Sequence, residues 1–351
     1  MNIEKYGFHY EMMGVHAFEN TIGIPARITA VHRELFECIS EKGECKARLK
    51  ASEYRDDEEA IPTTGDFVLL DWQEQGESRI LKTLQRKTFF SRRDPSSSGN
   101  GEQIVAANFD YVFIMQSLNH NFNFRRLERY LTLAWQSDAV PVIILTKADL
   151  QEDNSPQLSA VKNLAVGVDV FAISSITGDG IHSLSKYLLS GKTIVFLGSS
   201  GVGKSTLVNT LAGEKIMATR EIRDDDSRGR HATTHRQLIM LPNGVMIIDT
   251  PGMRELGMWD VSEGLGQSFS DVEAYLGTCK FNNCTHQNEP GCAIKIALCN
   301  GELSSERWES YLKLKNEARY TDDKTEYLRD KEKWQKEITR KIKDWQKSDR
   351  F

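Results

Sequence analysis

Gly198 to Ser205 reads GSSGVGKS, a full G-x-x-x-x-G-K-S, set between the apolar run TIVFL and the helical pattern TLVNTL. Glycines at this spacing let successive backbone N–H groups turn inward on phosphate oxygens, and the helix that follows contributes the positive end of its dipole. Gly198, Ser199, Ser200, Gly201, Val202, Gly203, Lys204, Ser205 and Thr206 are therefore candidate nucleotide contacts. Lys204 is placed to reach the β- and γ-phosphates and the Ser205 hydroxyl to ligate Mg²⁺. The chemistry implied is that of a nucleoside triphosphate.

Further along, GVMIIDTPGMREL puts Asp249 at the end of an apolar strand and Gly252 three residues later. An acidic group there holds Mg²⁺, commonly through water, while the Gly252 N–H contacts the γ-phosphate. Between the loop and this aspartate lies RDDDSRGRHATTHRQ, a polar segment in which Thr233 or Thr234 can complete the Mg²⁺ shell and close a switch over the γ-phosphate; Thr234 is preferred. After Gly252 stands Met253, where many GTPases carry a water-orienting Gln, so slow intrinsic hydrolysis is expected.

Upstream of all this, VIILTKADL runs a strand into Thr146, Lys147, Ala148 and Asp149, similar to the N-K-x-D base reader of GTPases. Asp149 can accept from guanine N1–H and the 2-amino group, whereas adenine offers an unprotonated N1, so GTP is favoured over ATP. Lys147 would lay its aliphatic stem on the base. The stretch FAISSITGDG, with Ser174 and Ser175, resembles the S-A-x motif that supports guanine O6. Thr146 stands where Asn usually ties the base loop to the phosphate loop, so weaker nucleotide affinity is expected with selectivity kept by Asp149. The order is base reader, base support, phosphate loop, switch, aspartate: the usual GTPase cycle cut at a different place.

A second kind of chemistry sits in CKFNNCTHQNEPGC. Cys279, Cys284, His286 and Cys292 offer four ligands within fourteen residues, a spacing suited to a closed tetrahedral zinc site that anchors a segment poor in apolar residues. Cys299 can substitute for a ligand, and Cys38 and Cys45 read as core or surface residues of a β region.

These groups need elements to hold them. With 351 residues, two or three domains are expected. The segment from Ile24 to Phe90 reads as short strands with turns, a small all-β barrel or sandwich. From Tyr111, apolar runs such as YVFIMQS, VPVIILT, VDVFAIS and TIVFLG alternate with helical patterns, among them NFRRLERYLTLAWQS and IHSLSKYLLS, as in a mostly parallel sheet covered on both faces. The expected domains are an N-terminal extension over 1–23, a barrel over 24–92, a Ser/Gly-rich linker over 93–104, a nucleotide domain over 105–266 and a zinc-binding, charged helical region over 267–351. The net charge of −5 excludes a chain that is basic throughout, so a nucleic-acid partner must be met by local patches such as RKTFFSRR and RGRH. The N-terminus lacks a secretory pattern and no apolar run approaches the roughly 20 residues a membrane span needs, so a cytoplasmic location and no membrane partner are expected.

Barrel, permuted nucleotide domain and C-x₄-C-x-H-x₅-C cluster, in that order, resemble the small ribosomal subunit biogenesis GTPase (RsgA) family, supported by RRLERYL, GRHATTHRQL and DTPGMREL. The resemblance implies a multidomain α/β fold: an N-terminal OB-type barrel, a central circularly permuted P-loop GTPase domain and a C-terminal zinc domain. It also implies ribosome-stimulated GTP hydrolysis with Mg²⁺ in late maturation of the small subunit, rRNA contact through barrel and zinc domain, and a monomer binding GTP and GDP. Ala232 departs from the Thr usual after the His of the switch. In the family pattern His231 is the candidate that positions the nucleophile once RNA orders the switch, with a phosphate or RNA contact as its alternative role. A P-loop ATPase or kinase, or an RNA-binding protein gated by nucleotide with little turnover, are the rival functions.

Overall fold

The computed structural model describes residues 2–10, 23–32, 35–49, 61–93, 102–217, 236–249, 262–287 and 289–318. Two compact units divide the chain: Met1–Arg92 with Gln103–Leu256, and Arg93–Glu102 with Gly257–Phe351.

In the first unit the segment ARITAVHRELFECIS is two strands, β1 (Ile24–His32) and β2 (Leu35–Ser40), followed by β3 (Gly43–Leu49), β4 (Phe67–Asp71) and β5 (Ser78–Thr83). They connect in the order β1-β2-β3-β5-β4, and β4 pairs back onto β1 to close a five-stranded barrel in which only β3 and β5 are parallel. This is the OB-type order. Ala26, Ile28, Phe36, Cys38, Ala47, Val68, Leu70 and Ile80 fill its interior. The N-terminal extension is partly integral to it: Ile3 and Phe8 are buried against Ile39, Phe67, Leu69 and Leu84.

β6 (Phe89–Arg93) and β7 (Glu102–Ala107) bracket the Ser/Gly-rich run and pair with each other. Beyond them come β8 (Tyr111–Ser117), α1 (Phe124–Gln136), β9 (Val140–Thr146), α2 (Ser155–Leu164), β10 (Asp169–Ala172), β11 (Thr193–Gly198), α3 (Lys204–Ala212), β12 (Gln237–Met240) and β13 (Met246–Asp249). β8, β9 and β11 are apolar along nearly their whole length because both faces of a parallel sheet are covered. Helix α1 starts where the Asn123 side chain accepts from the Arg126 N–H, and it buries Leu127, Tyr130, Leu131 and Ala134, one stripe at helical spacing. The helical reading of IHSLSKYLLS becomes a 3₁₀ turn over Ile181–Tyr187, with Leu184 and Tyr187 as its buried anchors.

The sheet order is β10-β9-β8-β11-β13-β12, and it continues through β1 into the barrel. A barrel and a nucleotide domain that read as separate in sequence thus share one sheet. The junction is Ala30 opposite Gln237, just past a register shift between Ile28 and Ala30 that re-aims the strand. Arg27, 1% exposed, fastens it. Its guanidinium donates to the carbonyls of Gly65, Tyr6 and Asn108 and to the Thr193 hydroxyl, and lies 4.8 Å from the centroid of the Phe67 ring. Burial lowers its pKa to about 10, opposed by Asp110 and Asp66. Beside it the fully buried Asp66 takes a two-pronged hydrogen bond from Arg86, and burial raises its carboxyl above the usual range against the pull of that cation.

In the second unit are α4 (Ser262–Ser268), α5 (Ser270–Glu273), α6 (Ala293–Asn300) and a helix over 305–318. The Arg307 guanidinium pairs with Asp271 and covers the Phe269 ring at 4.0 Å, while Tyr311 donates to Glu273.

Candidate nucleotide site and metal cluster

β11 delivers its last residue, Gly198, into a loop that ends where Gly203, at φ 104°, caps α3. Gly201 also has a positive φ of 71°. These left-handed positions are what glycine supplies at little cost. They turn the chain tightly enough that Lys204 begins the helix directly, so that Lys204, Ser205 and Thr206 form its first turn. Val202 is buried beneath the loop, whereas Ser200 and Gly201 are exposed.

Lys204 donates its ammonium to Asp249, which is 4% exposed at the end of β13. The sequence placed both on the phosphate and Mg²⁺ side of one site, and β11 and β13 are parallel neighbours in the sheet. The two meet because parallel neighbours end on the same edge, the edge at which open α/β sheets bind ligands.

The turn over 146–149, expected from its sequence to read the base, reaches the same edge from β9. Lys147 adopts φ 59°, Asp149 is exposed, and the Ala148 N–H donates to the Ile173 carbonyl of the base-support segment. Ser174 is fully buried and its hydroxyl accepts from the Ile176 and Thr177 N–H groups, while the half-buried Ser175 receives the Thr210 hydroxyl of α3 on its carbonyl. Thr146, 3% exposed, donates its hydroxyl to the Val202 carbonyl at 2.6 Å and sits 3.3 Å from the Gln116 carbonyl. That bond ties the turn over 146–149 to the phosphate loop.

A prediction follows from that bond. Thr146→Val keeps the shape but strands the Val202 carbonyl, and one such hydrogen bond is worth about 1 kcal/mol. Dissociation constants for fluorescent GTP and GDP analogues should rise roughly 5-fold with kcat at saturation little changed. An unchanged affinity would mean that Thr146 only fills space.

His231, Thr233, Thr234 and Gly252, with Ala232 and Met253, lie outside the described residues. Sequence reasoning passed over the loop after β8. There Asn121 places its amide 3.5 Å from the Ser199 hydroxyl of the phosphate loop and accepts from Arg126. The signal available was position: this loop leaves the carboxyl end of the strand beside β11.

In the second unit the ligand atoms of Cys279, Cys284, His286 and Cys292 all lie within 4.8 Å of one another. Cys279 and Cys292 sulfurs stand 3.5 Å from His286 Nδ1 and 4.0 Å from each other. A tetrahedron with metal–S near 2.3 Å and metal–N near 2.0 Å has edges of about 3.5–3.8 Å, so the residues fit a four-coordinate ion. The Ala293 N–H donates to the Cys279 sulfur at 3.3 Å, an outer-shell contact of the kind that steadies a thiolate ligand.

A glycine-rich G-x-x-x-x-G-K-S loop at the centre of a parallel sheet, a second turn tied to it and an acidic strand end beside its lysine define a P-loop nucleotide-binding protein, here with a five-stranded barrel in the same sheet and a separate Cys₃His cluster. A family model described as RsgA GTPase matches residues 83–259. The Listeria innocua protein named small ribosomal subunit biogenesis GTPase RsgA 1 is 46% identical over 323 residues, covering 91% of this chain and 90% of its own. YjeQ from Thermotoga maritima, known from a crystal structure, matches with a TM-score of 0.62 at 25% identity over 84% of this chain and 97% of that one. YloQ, described as a circularly permuted GTPase, matches with a TM-score of 0.59 at 24% identity over 86% and 97%. The chain belongs to the RsgA GTPase family, and its activity is GTP hydrolysis. No helix among the described residues is long and apolar enough to cross a membrane.

Proposed function

We propose that this GTPase acts in late maturation of the small ribosomal subunit, in the cytoplasm, and that the subunit's RNA stimulates its turnover. The observation that carries the reading is the convergence of base turn and phosphate loop through the Thr146–Val202 bond, together with the names of the relatives. The sheet order supports a permuted GTPase domain. β11, which carries the phosphate loop, lies between the earlier strands β8, β9 and β10 and the later strands β13 and β12, so the spatial cycle is intact although the chain enters it at β8. Parallel α/β domains accept such cuts where chain ends lie at the surface.

On this reading Asp149 selects guanine, Ser174 and Ser175 shape the pocket for its O6, and the loop from Gly198 to Thr206 cradles the phosphates. Bound Mg²⁺ would neutralise charge on the β- and γ-phosphates, held by Ser205, Asp249 and Thr233 or Thr234. Lys204 stabilises charge on the transferred group, Gly252 senses the γ-phosphate, and His231 positions the nucleophile. Zn²⁺ is the metal that three thiolates and an imidazole select. The barrel over 24–92 and the metal-binding region over 267–351 then each contact rRNA, with the GTPase domain over 105–266 between them in sequence; OB-type barrels commonly bind nucleic acid.

The test is phosphate release from GTP and from ATP, with and without purified small subunits. Subunits should accelerate GTP turnover and leave ATP untouched, and His231→Ala should lose the accelerated part while binding GTP as tightly as the parent. Equal turnover of ATP would overturn the assignment of Asp149, and full stimulation in the His231 variant would remove that residue from the mechanism.

A further inference from the structure

We infer that Cys38 and Cys45 form a reversible, peroxide-responsive dithiol in the wall of the barrel. Cys38 on β2 and Cys45 on β3 are direct Cα partners across an antiparallel hairpin. Residues so paired point to the same face with Cα atoms about 4.5–5.5 Å apart, inside the roughly 4.4–6.8 Å that disulfides span. Both are free thiols. Their Cβ atoms, about 4.5–5.5 Å apart in such pairs, must close by up to about an ångström to reach the disulfide range, which favours a bond that is readily reduced again.

The two sulfurs differ in a way that sets the order of events. Cys38 is 1% exposed in the barrel interior among Ala26, Ile28, Phe36 and Ala47, whereas Cys45 is half-buried at the edge of that cluster. The Cys38 thiol donates to the Phe36 carbonyl at 3.9 Å; the neighbouring Cys38 thiol, helped by the Ser78 hydroxyl, holds Cys45 below the usual thiol range. The neighbouring Cys45 sulfur and burial push the Cys38 thiol up. Redox-responsive cysteines have this arrangement, an accessible thiolate beside a resolving partner. Cys299 is exposed but has no second cysteine assigned to it, and Cys279, Cys284 and Cys292 belong to the metal cluster.

The chemistry balances with a hydroperoxide as the oxidant. The Cys45 thiolate attacks one peroxide oxygen, the O–O bond breaks, and hydroxide leaves with the second oxygen while Cys45 becomes a sulfenic acid. The Cys38 sulfur then attacks the Cys45 sulfur, the S–O bond breaks, and water departs carrying the Cys38 proton. Two thiols have lost two electrons and two protons to one peroxide, and a dithiol reductant reverses the step. The product staples β2 to β3 beside their turn.

The experiment treats the full-length, metal-loaded protein with hydrogen peroxide, blocks residual thiols with N-ethylmaleimide and maps tryptic peptides without reduction. Cleavage after Arg33, Lys42 and Lys46 separates the two cysteines, so a disulfide appears as peptide 34–42 joined to peptide 43–46 and disappears with dithiothreitol. In Cys38→Ser the Cys45 sulfenic acid should persist and be trapped by dimedone, a signature that a merely structural cysteine pair would not give. Exposed Cys299 serves as the internal control. If peroxide oxidises Cys299 while Cys38 and Cys45 are both recovered carrying maleimide, the proposal is overturned; it is equally overturned if Cys45 pairs with Cys299 instead of Cys38.

Discussion

Lys204→Ala lowers the rate of GTP hydrolysis by at least about 100-fold at saturating GTP, the scale on which loss of one preorganised donor to transition-state charge is felt. Lys204 opens α3 directly after the Gly203 cap, so its ammonium is carried on a rigid element and cannot be replaced by a neighbour. The effect has a second component. Lys204 is the ion-pair partner of Asp249, whose side chain is 5% exposed, so alanine leaves a nearly buried carboxylate without its cation. Loss of such a partner costs about 1–3 kcal/mol of folding stability, independently of nucleotide. Phosphate release with small subunits present measures the first component and thermal unfolding the second. Turnover within a few-fold of the parent would remove Lys204 from the phosphate site, and an unchanged melting point would mean that the Asp249 pair is not energetically coupled to the fold.

The largest effect on stability is expected at Arg27. Arg27→Met preserves most of the volume and removes five donors, stranding the carbonyls of Tyr6 and Asn108 and leaving that of Gly65 with only the Asn108 amide. Each buried carbonyl left without its donor costs about 1–3 kcal/mol, several kcal/mol together. For a unit of this size that is a fall in melting temperature of roughly 10 °C, readable by calorimetry. Well below pH 10 the guanidinium stays protonated in the folded state as in the unfolded, so the loss should be the same across the physiological range. Arg27→Lys should recover little, because a single ammonium cannot reproduce the planar fork that serves Gly65, Tyr6, Asn108 and Thr193 together. A variant that melts with the parent would show that the shared sheet holds barrel and nucleotide site together without the side chain.

Much of the fold was legible at the level of elements. The buried parallel strands announced themselves as continuous apolar runs, and the stripe of Leu127, Tyr130, Leu131 and Ala134 as a helix. Three features were not legible. The run from Ile181 to Tyr187 has helical spacing but closes as a 3₁₀ turn. The strand β7 begins within the expected linker because Glu102 and Gln103 look like loop residues until Arg92 is seen donating to Gln103. β1 reads as an ordinary barrel strand, and nothing in IPARITAVH says that its second half, while still paired with β2, also takes β12 as a neighbour at Ala30.

What the sequence determined by itself is the chemistry held in contiguous segments. The phosphate loop, the base turn and the Cys₃His cluster are each fixed by spacing, since their functional groups lie within a few residues and local backbone geometry suffices to bring them together. The tertiary structure alone decided which segments act jointly. Thr146 meets Val202 across 56 residues, Lys204 meets Asp249 across 45 and Arg27 meets Thr193 across 166. Those partnerships depend on strand order and on which strand ends share an edge, and strand order is set by how whole apolar faces are buried, a property no short stretch of sequence carries.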